Sequence, residues 1–153
     1  MAKGRTELTD PARLHHSATI SYASIALKTG SIVPPELPFL ITGDQCIHGK
    51  PHPEPYLKGL AELAKLPGCP SPLDPASVLV FEDAPSGLAA GLAAGCKTLA
   101  VCTGQTRERI RGLEASYKVV DLERVEVLSV DERGITLRLR TLEEEEAEEG
   151  RKD

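Results

Sequence analysis

The sequence predicts an α/β fold built on parallel strands, and three stretches carry that prediction. Residues 77–81, SVLVF, and 97–104, KTLAVCTG, are short continuous apolar runs of the kind buried on both faces of a parallel sheet. Between them GLAAGLAAGC, residues 87–96, reads as a helix so rich in alanine and glycine that it must pack very close to its neighbour. QTRERIRGLEAS follows as a helix and YKVVD, residues 117–121, as a third short strand. Strand, helix, strand, helix, strand is the α/β signature.

The remaining segments fit around that core. Residues 1–16 are polar and unpatterned. SATISYASIALKTGSI, residues 17–32, has helical apolar spacing at Tyr22, Ile25 and Ala26 and ends at Gly30. PFLIT, residues 38–42, is an apolar run expected to be a strand, and a proline-marked loop then runs to Pro53. In PYLKGLAELAKL the residues Tyr56, Leu57, Leu60, Leu63, Ala64 and Leu66 trace one face of a helix. GCPSPLDPAS is loop, and VEVLSVDERGITLRLR, residues 125–140, alternates on either side of a turn at DERG, as a hairpin does.

With 153 residues, 41% hydrophobic and 27% charged, the chain has the length of one soluble globular domain. No run reaches the roughly 18 apolar residues of a membrane helix. The first residues lack the apolar core of a secretory signal, so a cytoplasmic location is expected. The formal charge of −5 lies wholly in EEEEAEEGRKD, residues 143–153, with seven acids and two bases. That stretch is expected to be a solvated, disordered end. The neutral remainder, with two Phe, three Tyr and no Trp, offers neither a basic stripe nor stacking platforms, which argues against a nucleic-acid partner. The organisation expected is an N-terminal segment at 1–16, a core at 17–142 and an acidic tail at 143–153.

Four cysteines at irregular spacings, Cys46, Cys69, Cys96 and Cys102, read as reduced thiols. Cys46, His48 and His52 match no standard zinc-ligand spacing and read as part of a polar loop.

Three places could do chemistry. Glu82 and Asp83 follow a buried strand, at the sheet edge where open α/β folds bind ligands. Adjacent carboxylates suit Mg²⁺, although Asp83 could equally cap the next helix, with Pro85 in its first turn. Lys50, held between Gly49 and Pro51 before a proline-started helix, is an ammonium beside a helix N-terminus and hence an anion site, or simply a surface lysine. GDQCIHGKP is not a phosphate loop, having one residue too many and a proline where Ser or Thr must stand. Ser17 and Thr19 open a helix, where their hydroxyls could hold a phosphate oxygen or serve as ordinary caps.

SAT at 17, GKPHPEPY at 49 and VLVFEDAPSGLAAGLAAGCKTLAV at 78 together resemble the haloacid dehalogenase superfamily, in particular its fungal-type phosphatases of glycerol phosphate and 2-deoxyglucose 6-phosphate. The resemblance covers about residues 17–140. It implies a Rossmann-like three-layer sandwich and a small phosphate monoester as substrate. Ser17 then matches the phosphate-binding hydroxyl, Lys50 the lysine that neutralises the phosphoryl group, and Asp83 the Mg²⁺ ligand, with Glu82 beside it. In such enzymes an aspartate attacks phosphorus while Mg²⁺ and lysine offset developing charge.

The nucleophile of that scheme is missing. The family's D-x-D-G-T occurs nowhere: the aspartates are Asp10, Asp44, Asp74, Asp83, Asp121, Asp131 and Asp153. DPARLHH replaces the apolar strand expected before Ser17, Ile20 stands where relatives carry arginine, and no cap domain is inserted. The expectation is therefore a partial core without the nucleophile strand or cap, plus a C-terminal hairpin, impaired or inactive as a catalyst. It could serve instead as a non-catalytic phosphate-binding or interaction module, or be a sequence truncated ahead of residue 17. SVLVF would then present an open edge for a partner chain to complete, and the isolated chain would be poorly stable.

Overall fold

The computed structural model describes residues 39–103, 106–131 and 134–151, together with the backbone of a strand at Thr6–Leu8. The helix expected at 17–32 lies outside the described residues.

Three parallel strands form the centre: β2 (Leu79–Glu82), β3 (Lys97–Val101) and β4 (Tyr117–Val119), in that spatial order. Their register sets Leu79 against Lys97 and Leu99 against Tyr117. Among the described residues β2 pairs only with β3, so the side of β2 expected to be open has no strand beside it there. A second sheet is antiparallel, with β6 (Gly134–Leu139) between β5 (Val125–Asp131) and β1 (Thr6–Leu8). The hairpin closes at Asp131 and Gly134, where the sequence placed its turn.

The period-2 geometry of strands sorts their residues into two cores. Val78 and Val80 pack with Tyr56, Leu60 and Leu63 of α1 (Glu54–Leu63) and with Ala90 and Ala94 at α2 (Pro85–Ala93). Leu79, Leu99 and Val101 point the other way and meet Leu137 and Leu139 of β6. The hairpin thus covers one face of the parallel sheet and the helices cover the other. A smaller cluster joins Leu88, Ala100 and Ile110, the last from α3 (Arg107–Arg111).

Close approach of α2 to the sheet explains its glycines. A β-carbon on Gly91 would stand 3.0 Å from Thr98 Cγ2 and 3.4 Å from Val80 Cγ1, tight against the sheet. Gly95, at φ +84°, ends the helix in the left-handed conformation that glycine adopts without steric cost. Its N–H donates to Leu92 O at 2.9 Å and that of Cys96 to Gly91 O at 3.0 Å, the paired bonds of a Schellman motif.

Several expectations need correction. Residues 39–42 form no strand; Phe39 instead packs against the α1 core from an irregular segment. The segment read as unpatterned contributes β1, paired with β6. Leu57 is 47% exposed, because the buried arc of α1 is Pro55, Tyr56, Gly59, Leu60 and Leu63, and Leu57 lies about 100° round the helix from Tyr56. α3 is a short helix, capped by Thr106 and ended at Gly112.

The largest correction concerns the acidic end. Residues expected to be disordered form α4 (Leu142–Glu149), started by a capping box in which Thr141 Oγ1 accepts from Glu144 N and Glu144 Oε2 accepts from Thr141 N at 2.9 Å. Leu142 and Glu145 are buried. Glu145 sits among three arginines: Arg124 Nε at 2.5 Å, and Arg107 and Arg140 at 3.7 Å each. Charge that looked like solvated excess is neutralised from the body of the domain.

Candidate active site

Gly49, Lys50, Pro51 and His52 form a turn closed by His52 N–H donating to Gly49 O at 3.0 Å, with a cis Lys50–Pro51 peptide at its centre. Pro53 starts α1 with no side-chain cap of its own, and Pro55 lies in the first turn, where a missing N–H costs nothing. Glu54 does the work of tying loop to helix. Its Oε1 accepts from Ile47 N and its Oε2 from His48 N, both at 2.9 Å, and Lys58 Nζ is 2.8 Å away. Those partners, Lys58 foremost and then the two amides, push its pKa down to about 2.

The turn thereby aims Lys50 at the end of β2. Lys50 Nζ lies 2.9 Å from Glu82 Oε1, with both side chains largely buried. Glu82 was expected just after the strand; it is instead the strand's last residue and 7% exposed. Behind it stands Gly87 in α2, where a β-carbon would fall 1.9 Å from Glu82 Oε1. A side chain there would occupy the carboxylate's own place.

Asp83 follows at the C-terminal end of β2, half-buried. Of the two roles open to it, the capping one is not adopted: the N-cap of α2 is Ala84, with no side-chain cap bond. Its Oδ2 instead accepts from Thr103 Oγ1 at 3.4 Å, a contact from the turn after β3. Hard carboxylate oxygen in a half-open position is the donor chemistry Mg²⁺ takes. Glu82 is oriented differently, toward the Lys50 ammonium.

The fold therefore brings Lys50, Glu82 and Asp83 to one end of the parallel sheet. Ser17 and Thr19 lie outside the described residues. Sequence reasoning missed Thr103 and Glu54. The second had a signal: an acid at the first helical position after a proline-rich turn is placed to accept loop amides.

Several known proteins are similar to parts of this chain. Residues 35–101 match the haloacid dehalogenase-like hydrolase family, a span that includes Lys50, Glu82 and Asp83. Glycerol-1-phosphate phosphohydrolase 2 of Saccharomyces cerevisiae is 52% identical over 68 residues, 42% of this chain and 26% of that protein. 2-Deoxyglucose-6-phosphate phosphatase 2 of the same yeast is 33% identical over 102 residues, 65% of this chain and 40% of that one. Hexitol phosphatase A of Escherichia coli is 38% identical over 85 residues, 56% and 35% of the two chains. A solved haloacid dehalogenase-superfamily hydrolase of subfamily IA from Geobacter sulfurreducens superposes with a TM-score of 0.48 at 20% identity, covering 71% of this chain and 42% of its own. The matches to these curated relatives span between about a quarter and two fifths of the relatives' length. Over residues 35–101, the chain is similar to the haloacid dehalogenase-like hydrolases.

Proposed function

We propose that the chain carries the phosphate- and cation-binding groups of a phosphatase acting on small sugar or polyol phosphate monoesters. The observation that supports this reading best is the Lys50–Glu82 pair at 2.9 Å, beside Asp83 at the C-terminal end of β2. Lys50 would present its ammonium to the phosphoryl group while Glu82 fixes its position. Asp83 would hold Mg²⁺, with Glu82 adding negative charge to the same pocket and Ser17 contributing a hydroxyl to phosphate. Bound Mg²⁺ would supply charge neutralisation at the phosphoryl oxygens. The names of the matched relatives, glycerol-1-phosphate, 2-deoxyglucose-6-phosphate and hexitol phosphatases, support the substrate class.

Turnover by these 153 residues is a separate matter, because no Asp-x-Asp occurs among them to supply the attacking carboxylate. We infer phosphate-ester binding with catalysis impaired or absent. A strand from another chain alongside β2 would be one way to complete the sheet; among the described residues that strand pairs only with β3.

The test is phosphate release from glycerol phosphate and 2-deoxyglucose 6-phosphate with Mg²⁺, run with binding of orthovanadate and with Asp83→Ala in parallel. Vanadate binding that needs both Mg²⁺ and Asp83, with little or no release, is the expected result. Release lost in Asp83→Ala would show that another residue acts as nucleophile. Absence of vanadate binding by the folded chain would remove the proposal.

A further inference from the structure

The loop ahead of α1 gathers a second group of side chains that the phosphate site does not use. His48, His52 and Glu54 each offer a metal-capable atom, and these atoms lie within 4.8 Å of one another. The two imidazoles stack, with centroids 4.4 Å apart and planes inclined by 30°. Both histidines are exposed, so a cation can reach them with water completing its coordination.

The spacing is close to a coordination sphere. Zinc ligands stand about 2.0–2.2 Å from the ion, which places tetrahedral neighbours roughly 3.3–3.6 Å from each other. His48 Nδ1 and Glu54 Oε2 are 3.1 Å apart, joined by a hydrogen bond that a bound ion would replace. The carboxylate is already immobilised by two backbone amides and Lys58, so little side-chain freedom is lost on binding. His52 Nδ1 accepts a long 3.2 Å bond from Glu54 N, and turning that exposed ring toward an ion gives up this bond and alters its stacking on His48.

We propose that His48, His52 and Glu54 form a surface site for a borderline divalent transition cation of the zinc class, with water in the remaining positions. Imidazole nitrogen selects zinc, copper and nickel over magnesium, whereas the Asp83 carboxylate, beside the Thr103 hydroxyl, is the hard oxygen donor that magnesium prefers. The two places therefore take different ions. His48 and His52 flank Lys50 in sequence, so an ion bound by both would tie together the two ends of the turn that carries it. The site stands on its own ligands and does not depend on the phosphatase reading.

The experiment uses the full chain, stripped with a chelator and titrated with Zn²⁺ by calorimetry and with Co²⁺ by visible absorption. The expected result is one ion per chain and a Co²⁺ spectrum without a thiolate charge-transfer band, which separates this site from binding at the four free cysteines. Loss of an outer partner of a metal ligand weakens affinity by roughly 10–100-fold, and His48→Asn or His52→Asn should cost at least that much. As a check that needs no variant, Zn²⁺ should protect His48 and His52 of the unaltered chain from diethyl pyrocarbonate, more than it protects His15 and His16, read by mass spectrometry. No Zn²⁺ binding, a thiolate band with the histidines unprotected, or unchanged affinity in His48→Asn/His52→Asn would each overturn the proposal.

Discussion

Gly87 and Glu82 occupy space that only a glycine can share: a β-carbon at 87 would stand 1.9 Å from Glu82 Oε1, 2.2 Å from Cδ and 2.4 Å from Cγ. The whole end of the glutamate lies against the helix backbone, so no rotation of its tip relieves the clash. Gly87→Ala should therefore displace Glu82 from Lys50 and destabilise the domain by about 1–3 kcal/mol, the usual cost of overpacking. Chemical denaturation measures this, and the control is the same change in a Glu82→Ala background. There the cost should largely vanish, because contacting residues couple. An equal cost in both backgrounds would place the strain elsewhere.

Removing the ammonium probes the same contact from its other end. Lys50→Met leaves Glu82, 7% exposed, without the Lys50 ammonium at 2.9 Å. Breaking a buried pair this way costs roughly 3–5 kcal/mol, whereas replacing both members with apolar groups is often close to neutral. Lys50→Met should thus melt well below the parent, and Lys50→Met/Glu82→Met should recover most of the loss. Failure of the double variant to recover would mean that Glu82 is held mainly by its other contacts.

The chemistry of this pair was only half legible in the sequence. Lys50 before a proline could be read as an ordinary surface lysine, Glu82 was read only as a carboxylate beside Asp83, and nothing in a linear pattern says that residues thirty-two positions apart will meet. Parallel strands were easier, since Leu79, Val80 and Leu99 are buried by virtue of local runs that need no knowledge of partners. PFLIT misled for the complementary reason: an apolar run can fill a core from an irregular segment, as Phe39 does, without entering a ladder. The acidic end misled because composition averages over residues. Its T-x-x-E start, Thr141 to Glu144, was a helix signal, but the arginines that neutralise Glu145 come from elements distant in the chain.

Acid should loosen the turn ahead of α1 as the Glu54 carboxylate is protonated. The Glu54 carboxyl ordinarily titrates near 4.5 and is pushed down to about 2, chiefly by Lys58 and then by the amides of Ile47 and His48. A depressed folded-state pKa means that the carboxylate's stabilisation is complete above the ordinary value and is lost as pH falls through the folded one. The amide resonance of Ile47 should accordingly report the Glu54 titration as a shift centred well below 4.5, as pH approaches 2. A midpoint at the ordinary value would show that the carboxylate is not engaged in solution.

α4 is held to the domain by a charge as much as by an apolar contact, and that makes it sensitive to one substitution. Glu145 is 4% exposed, within 2.5 Å of Arg124 Nε and 3.7 Å of Arg107 and Arg140. Arg124 lies just ahead of β5, Arg107 in α3 and Arg140 just after β6, so one carboxylate links three elements to the helix. Glu145→Ala removes the counter-charge and leaves the guanidiniums to repel one another, and because they are partly exposed the penalty should fall near the lower end of the roughly 3–5 kcal/mol seen for broken buried pairs. Glu145→Gln keeps shape and hydrogen-bonding oxygen while losing charge, so it should recover only part of that stability. Hydrogen exchange over Leu142–Glu149 reads the outcome directly. Faster exchange confined to α4 in both variants, greater in Ala than in Gln, is expected; unchanged protection in Glu145→Ala would mean that Leu142 alone anchors the helix.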